Sequence, residues 1–220
     1  MLSILRHRFY RRRIGLVQKI RFKHFPPPKL TEYYFGYGAN LNVERFKNNH
    51  MFAEEVGVAS LADHEIVINL RTEYLNKGYA GPKPNKGSTL WGVLYRIDRH
   101  SLKQLDAMEW CGFGAYTRKL VTVVIKTTGE AQSTWCYFPA KPTNGLQATT
   151  LYKEKLLSQS KLRSFPQNYI DQIQKIDTGD HFSIDHEFSL LTYDKRFLAK
   201  ELKWLYQIND YLREKLSQVL

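Results

Sequence analysis

A glutamate near the middle of the chain has the setting of a general acid or base. The segment SLKQLDAMEW predicts a helix over Ser101–Glu109. Leu102, Leu105 and Glu109 recur at the spacing of one helical face, which puts this carboxylate on the apolar side, while Asp106 falls further outward. Burial and the negative end of the helix dipole both raise the pKa of such a carboxyl, as proton transfer near neutral pH requires. The alternatives for Glu109 are a surface residue on a frayed last turn and a buried structural ion pair.

An aromatic segment that runs into two glycines is the second candidate. In YYFGYGANL, Tyr33–Leu41, the aromatic residues predict a strand, and the glycines indicate a backbone that comes close to another group. Glycines ahead of a helix start let backbone N–H groups point at a carboxylate or a carbonyl oxygen. Asn40 adds a side-chain donor or caps the following helix. A tight strand-to-helix turn without a ligand explains the same residues.

Nucleotide binding is the other function that Gly36-Tyr37-Gly38 suggests, and the surrounding sequence argues against it. The third glycine of the dinucleotide fingerprint would fall at position 41, which is Leu. The chain that follows predicts successive strands rather than alternating strands and helices. A Walker loop is absent, because Lys86-Gly87-Ser88-Thr89 has its residues in the wrong order.

The candidate residues lie on a predicted α+β domain, a mostly β body with helices on its outside. Composition and turn residues predict strands over Tyr33–Tyr37, Val56–Ser60, Glu65–Leu70, Leu90–Ile97, Leu120–Ile125 and Ser133–Phe138. Apolar spacing predicts helices over Asn42–Asn48, Ser101–Glu109, Thr149–Ser158, Pro166–Ile176 and a long C-terminal segment from about Asp194. Ser101 and Gln104 are spaced as a capping box. The apolar stripe of the C-terminal helix predicts packing on the domain or a homodimer contact.

The formal charge of +12 belongs mainly to an N-terminal arm. Residues 1–29 hold nine Lys or Arg and no Asp or Glu, which leaves +3 for the rest of the chain. An Arg-rich, acid-free leader is typical of a mitochondrial transit peptide; a basic arm that binds phosphates or anionic lipid, or a solvated basic helix, has the same composition. Prolines 26–28 end any preceding helix. We therefore predict an arm over residues 1–30, a domain over 31–178 and a helical extension over 179–220.

The remaining chemistry-bearing residues match no known site. Cys111 and Cys136 form neither a disulfide framework nor a metal motif, so we expect a reducing compartment: the cytoplasm, or the mitochondrion if residues 1–29 are a transit peptide. Asp180-His181 and Asp185-His186-Glu187 match no standard metal site. No apolar run approaches the ~20 residues of a membrane-spanning helix. Nucleic acid is not expected as a partner, because no RNA-binding aromatic motif or zinc-finger spacing accompanies the arm.

Four motifs occur in a fixed order between Tyr33 and Thr178. They are Tyr34-Phe35-Gly36-Tyr37-Gly38-Ala39-Asn40-Leu41, then Trp91-Gly92-Val93-Leu94-Tyr95, then Leu105-Asp106-Ala107-Met108-Glu109-Trp110, and Tyr116. In this order and spacing the chain resembles the γ-glutamylcyclotransferase superfamily, whose motifs read Y-F-x-Y-G-S-N-L, W-G-x-x-Y and L-D-x-x-E-G, followed by a Tyr that begins the next strand. The resemblance implies a compact mixed β-barrel of about five to six strands flanked by helices, with no metal and no organic cofactor.

The resemblance also implies a reaction. The free α-amino group of a γ-glutamyl compound attacks its own γ-carbonyl, closes 5-oxoproline and expels the attached amine or amino acid. By its position in the motif, Glu109 is the implied general acid/base. The implied substrate-binding residues lie in the glycine loop and among later tyrosines: Tyr37, Gly38, Ala39, Asn40, Leu41, Tyr116 and Tyr137, with Tyr152 as a further tyrosine near the pocket.

Two residues depart from the motifs of that family. Ala39 replaces the usual Ser and removes a hydroxyl, and Trp110 replaces the usual Gly and puts bulk beside the carboxylate. The small-molecule substrate is left open among glutathione-derived γ-glutamyl amino acids, γ-glutamyl amines and protein-derived γ-glutamyl-lysine. The alternatives to an enzyme are a non-catalytic ligand- or protein-binding module on the same fold, and a nucleic-acid or membrane adaptor driven by residues 1–29.

Overall fold

A closed β-barrel forms the body of the protein. The computed structural model describes residues 2–72 and 76–180. The strands of this part of the chain are β1 Glu32–Gly36, β2 Ala53–Arg71, β3 Gly78–Ile97, β4 Tyr116–Ile125 and β5 Ala131–Pro139. They close into one barrel in the order β1-β3-β2-β4-β5. The expected α+β architecture, a mixed barrel with helices around it, is confirmed.

Strand β1 closes the barrel. It pairs antiparallel with β3, where Tyr34 lies opposite Tyr95, and parallel with β5, where Tyr34 lies opposite Trp135. Neighbours on both sides satisfy the backbone hydrogen-bonding groups that a buried strand cannot share with water. Tyr34 and Phe35 are accordingly buried, which is what the aromatic composition of this segment predicts.

Strands β2 and β3 form one long antiparallel hairpin. The predicted strands Val56–Ser60 and Glu65–Leu70 are wrong as separate elements, because both are parts of β2. Between them the chain passes through a register shift at Ala62/His64, where Asp63 has a φ of 57°. A bulge of this kind bends a strand without ending it. The residues that suggested a turn therefore mark a bend within the barrel wall.

Five helices accompany the barrel in the described residues: α1 Leu2–His24, α2 Glu44–Asn48, α3 Arg99–Met108, α4 Thr150–Leu162 and α5 Gln167–Gln174. The capping box predicted for α3 is wrong. Asp98 is the N-cap, and its carboxylate accepts hydrogen bonds from the backbone N–H groups of His100 and Ser101. An aspartate at this position also interacts favourably with the helix dipole, so the helix begins two residues earlier than predicted.

Helix α1 covers most of the basic arm. It ends at His24, before the prolines, as the sequence predicts, and it packs against α3. No described helix is both long and apolar enough to cross a membrane. The predicted helix from about Asp194, the homodimer contact on it and the Asp185-His186-Glu187 cluster lie outside the described residues. The boundaries predicted at residues 30 and 178 stay predictions.

Candidate active site

The glycine loop leaves the barrel at the end of β1 and turns immediately. After Gly36 the chain forms a short 3-10 turn over Ala39–Leu41. The Leu41 carbonyl accepts a hydrogen bond from the Tyr95 hydroxyl at 3.0 Å, which fixes the loop to β3. A Cβ on Gly36 would lie 2.9 Å from the backbone oxygen of Asn40. The close approach of the backbone to itself is therefore the reason for glycine at this position.

Glu109 ends helix α3. It follows Met108 directly, and its N–H donates to the Leu105 carbonyl at 2.8 Å. Trp110 comes next in the left-handed conformation, with φ 54° and ψ 34°, a conformation that costs a residue with a side chain ~1–2 kcal/mol. Glycine is the usual residue after a helix end of this kind. The abrupt turn leaves the Glu109 carboxylate partly buried at the C-terminal end of α3.

A hydrogen bond joins the loop to this carboxylate. Asn40 Nδ2 donates to Glu109 Oε1 at 2.9 Å and to the Tyr34 hydroxyl oxygen at 2.7 Å. Asn40 is only 5% exposed, and its Oδ1 is buried with no hydrogen-bond partner in the part of the chain that the structure describes. A buried acceptor without a donor carries a desolvation penalty. The loop therefore presents one unused acceptor close to the carboxylate.

Burial and nearby positive charge have opposite effects on the pKa of Glu109. Burial raises its pKa above the ordinary value, as the sequence pattern predicts. In decreasing order, Arg45, the hydrogen bond from Asn40, and Arg11 oppose the rise. A carboxyl group balanced in this way is suited to take up and release a proton near neutral pH.

The match to known proteins spans both the loop and the carboxylate. A family model described as gamma-glutamyl cyclotransferase, AIG2-like, matches residues 34–156, more than half of the chain. The chain belongs to this family.

Curated members of the cyclotransferase family are similar over most of the barrel domain. The chain is 26% identical over 153 residues to the gamma-glutamylcyclotransferase of Bos taurus, which covers 67% of this chain and 80% of the relative. It is 23% identical over 159 residues to that of Homo sapiens, covering 70% and 84%. A solved structure named gamma-glutamyl cyclotransferase superposes with a TM-score of 0.62 at 22% identity, covering 73% of this chain and 97% of that chain. The structural likeness shows that the fold is that of the cyclotransferase family.

The tyrosines that the resemblance implies as substrate-binding residues donate their hydroxyl protons to other groups of the protein. Tyr37 donates to the Tyr137 carbonyl at 2.7 Å, and Tyr137 donates to Asp106 Oδ1 at 2.8 Å. Tyr116 donates to the Ala80 carbonyl at 2.7 Å. These bonds connect the loop, the barrel and α3. What each tyrosine can still offer a ligand is its ring surface and the lone pairs of its hydroxyl oxygen.

Tyr152 lies beside the glycine loop. A Cβ on Gly38 would lie 3.2 Å from the Tyr152 hydroxyl, which accepts a hydrogen bond from the Ala80 N–H at 3.3 Å. Burial raises the pKa of Tyr152, and the charge of Glu109 adds to that rise, as it does for Tyr34 and Tyr116. Through Asn40, Glu109 is joined to the loop and to the Tyr34 hydroxyl, whereas the Tyr137 hydroxyl donates to Asp106.

Asp106 is not on a solvated face. Its carboxylate is half-buried, pairs with Arg118 at 2.9 Å and accepts the hydrogen bond from Tyr137. Burial raises the pKa of Asp106, while Tyr137 and Arg118 oppose the rise. Asp106 thus connects α3 to strands β4 and β5, which the pattern of a single helix does not reveal.

Two arginines near the carboxylate carried no expectation from the sequence. Arg45 lies on α2, the first helix after the glycine loop, and that position is a signal that could have marked it. Arg11 lies on α1, far from Glu109 in the sequence, and nothing in its local pattern connects the two. Both act on the pKa of Glu109.

Other parts of the described chain offer less chemistry. Residues 2–72 and 76–180 contain no group of three or more His, Cys, Asp or Glu placed to hold a metal ion. A surface cleft of about 270 Å³ between β3 and α5 is lined by Trp91, Tyr169 and neighbouring residues, and it includes none of the residues around Glu109. The candidate site is therefore the one that the loop and α3 form together.

Proposed function

We propose that this chain is a γ-glutamyl cyclotransferase, which converts a γ-glutamyl compound into 5-oxoproline and a free amine or amino acid. The observation that carries the proposal is the hydrogen bond from Asn40 to Glu109, which joins the glycine loop to a carboxyl whose pKa burial raises. Membership of the family and the names of the curated relatives support the class of reaction.

Glu109 is the proton carrier in this proposal. Its carboxylate takes a proton from the α-ammonium group, and the free amine attacks the γ-carbonyl carbon of the same molecule. The new C–N bond closes the ring, and the C–N bond to the leaving group breaks. The amino nitrogen loses two protons in becoming the ring amide, and the leaving nitrogen gains two in becoming ammonium, so Glu109 carries each in turn. The reaction consumes no water and no co-reactant.

The loop positions the substrate. Asn40 Oδ1 is the unused acceptor near Glu109 and suits a hydrogen bond from the α-ammonium group. Backbone N–H groups of the loop serve the substrate carboxylate and the carbonyl oxygen that gains negative charge. These donors do not depend on the hydroxyl that Ala39 lacks. Because the attack is intramolecular, holding the amine over the carbonyl supplies much of the rate.

The test is release of 5-oxoproline from a γ-glutamyl amino acid, a γ-glutamyl amine and γ-glutamyl-lysine. Glu109→Gln keeps the shape of the side chain but cannot carry a proton, so release should fall by about 10²–10⁴-fold. Glu154→Gln, at an exposed position on α4, should match the wild type. Wild-type protein that releases nothing from any compound, or a Glu109→Gln variant as active as wild type, contradicts the proposal.

A non-catalytic binding module on the same fold is the second candidate function. The observation that favours it is the left-handed conformation of Trp110, directly after Glu109, at a position where the motif of the family has glycine. Such a module would bind γ-glutamyl compounds in calorimetry and release no 5-oxoproline from them.

A further inference from the structure

Helix α1 lies antiparallel against α3. Gln18 Nε2 donates to the Ser101 hydroxyl at 3.3 Å, and almost one turn further along α1, Arg21 pairs with the Asp98 carboxylate at 3.1 Å. Residue numbers therefore increase along α1 in the direction in which they decrease along α3. Gln18 is 1% exposed and accepts a hydrogen bond from Arg21 at 2.6 Å, so this end of the interface is closely packed.

The same alignment extends to the other end of α3. Both helices rise about 1.5 Å per residue, and residues seven apart lie on nearly the same face, about two turns away. Arg11 precedes Gln18 by seven residues, and Met108 follows Ser101 by seven. Arg11 is thereby placed opposite the last turn of α3, where Glu109 follows.

The electrostatics agree with this placement. Partial burial and repulsion from Arg45 lower the pKa of Arg11, and attraction to Glu109 opposes them. Burial raises the pKa of Glu109, and both arginines oppose that rise. The alignment of the two helices and these mutual effects on pKa both put Arg11 on the side of α3 where Glu109 lies.

One carboxylate does not balance these two cations. Arg45 Nε is buried with no hydrogen-bond partner among the described residues, and the Arg11 side chain keeps exposed surface. Like charges in a partly buried setting repel, and a second anion placed between them would relieve the repulsion and supply the acceptor that Arg45 lacks. A carboxylate suits the planar fork of a guanidinium group.

We propose that Arg11 is a specificity-determining residue, which together with Arg45 binds a carboxylate in the leaving group of the γ-glutamyl substrate. The inference rests on the proposed function. It makes α1 part of the site, although that helix precedes the residues matched by the family model. If Arg11 has this role, the preferred substrates are γ-glutamyl amino acids or peptides with a free carboxylate near the scissile bond, rather than γ-glutamyl amines.

The test compares two substrates that differ only in that carboxylate, γ-glutamyl-alanine and γ-glutamyl-ethylamine. Wild-type protein should prefer the alanine compound in kcat/KM. Arg11→Gln should reduce this preference about tenfold, mainly by raising KM for γ-glutamyl-alanine, because a charge-assisted hydrogen bond is lost. The readout is the ratio of kcat/KM for the two substrates, because the effect of Arg11 on the pKa of Glu109 acts on both substrates alike and cancels in that ratio. Arg11→Lys should restore part of the preference, because it keeps the charge without the fork.

Arg12→Gln is the matched control, because Arg12 is the neighbouring arginine and lies about 100° around α1 from Arg11. It should keep the wild-type preference. An unchanged preference in Arg11→Gln, or an equal loss in Arg12→Gln, overturns the inference and leaves the proposed function intact. If wild-type protein releases no 5-oxoproline, the proposed function fails, and calorimetry with the same two compounds decides the inference: equal affinity of wild-type protein for both overturns it.

Discussion

Asn40 and Glu109 are separated by 69 residues in sequence and joined by a hydrogen bond of 2.9 Å. The Asn40 amide nitrogen has two protons, and its second acceptor is the Tyr34 hydroxyl. With both donors used, Oδ1 is left buried without a hydrogen-bond partner among the described residues. One side chain thus holds the carboxylate in place, and in the proposed reaction its Oδ1 accepts a hydrogen bond from the ammonium group that Glu109 deprotonates.

Replacing Asn40 by Asp tests this relationship through the pH dependence of activity. A second carboxylate next to Glu109 disfavours its ionised form and raises its pKa further, against the opposing effects of Arg45 and Arg11. The acidic limb of the kcat/KM profile should therefore move to higher pH, and the maximum should fall by about 10²-fold because a donor is lost. Asn42→Asp is the control, since Asn42 is exposed and its Oδ1 only accepts from the Glu44 N–H. Profiles that coincide for the wild type and Asn40→Asp would argue against the role of Asn40.

Glu109 should reduce the stability of the fold wherever it is ionised. Because burial raises its pKa in the folded state, the folded protein binds this proton more tightly than the unfolded chain does. The free energy of unfolding should therefore fall as pH rises from the ordinary pKa of a glutamate through the raised one. Relative to wild type, Glu109→Gln should gain stability over this interval. Urea denaturation at about pH 4, 6 and 8 measures the difference, and a difference independent of pH would show that the pKa is not raised.

Alanine substitutions at two glycines should have opposite effects on the stability of the fold. A Cβ on Gly92 would lie 2.5 Å from the Gly36 backbone oxygen and 2.6 Å from Phe35 Cζ, so two motifs meet there without room for a side chain. Gly92→Ala should cost about 1–3 kcal/mol in the free energy of unfolding. A Cβ on Gly15, within α1, would meet no neighbouring group of the described chain within 4 Å, and Gly15→Ala should add about 0.5–1 kcal/mol. Equal effects in urea denaturation would mean that β1 and β3 are not in this contact.

Tyr116→Phe separates a structural role from substrate binding. The hydroxyl donates to the buried carbonyl of Ala80, so its loss should cost about 1–3 kcal/mol in the free energy of unfolding. Tyr169→Phe is the comparison, because that hydroxyl donates to the Trp91 carbonyl, away from Glu109. We expect similar losses of stability and KM values within about threefold of wild type, since the Tyr116 proton is already used in the fold. A much larger rise of KM in Tyr116→Phe alone would mean that its hydroxyl binds the substrate.

Most of the barrel elements could be predicted because their signals are local. Aromatic and β-branched content located β1, and leucine spacing put Glu109 on the buried side of α3. The predictions were wrong where the same residue type occurs in two different kinds of local structure. The break that we predicted between Ser60 and Glu65 is a bulge within β2, and Ser101, which we predicted to be a cap, lies inside α3 behind the N-cap Asp98. A bulge and a turn use the same residues, and only the pairing partner distinguishes them.

By itself, the sequence determined which residues carry chemistry and on which kind of element each one lies. It predicted the glycine loop, the carboxylate on the apolar side of a helix and the raised pKa of that carboxylate, since periodicity and burial are properties of a short segment. Only the tertiary structure decided which side chains meet: Asn40 with Glu109, Asp106 with Arg118, and Arg21 with Asp98. The reason is physical, because such meetings depend on the register of elements far apart in sequence. That register is set by packing over the whole barrel rather than by the residues of any one segment.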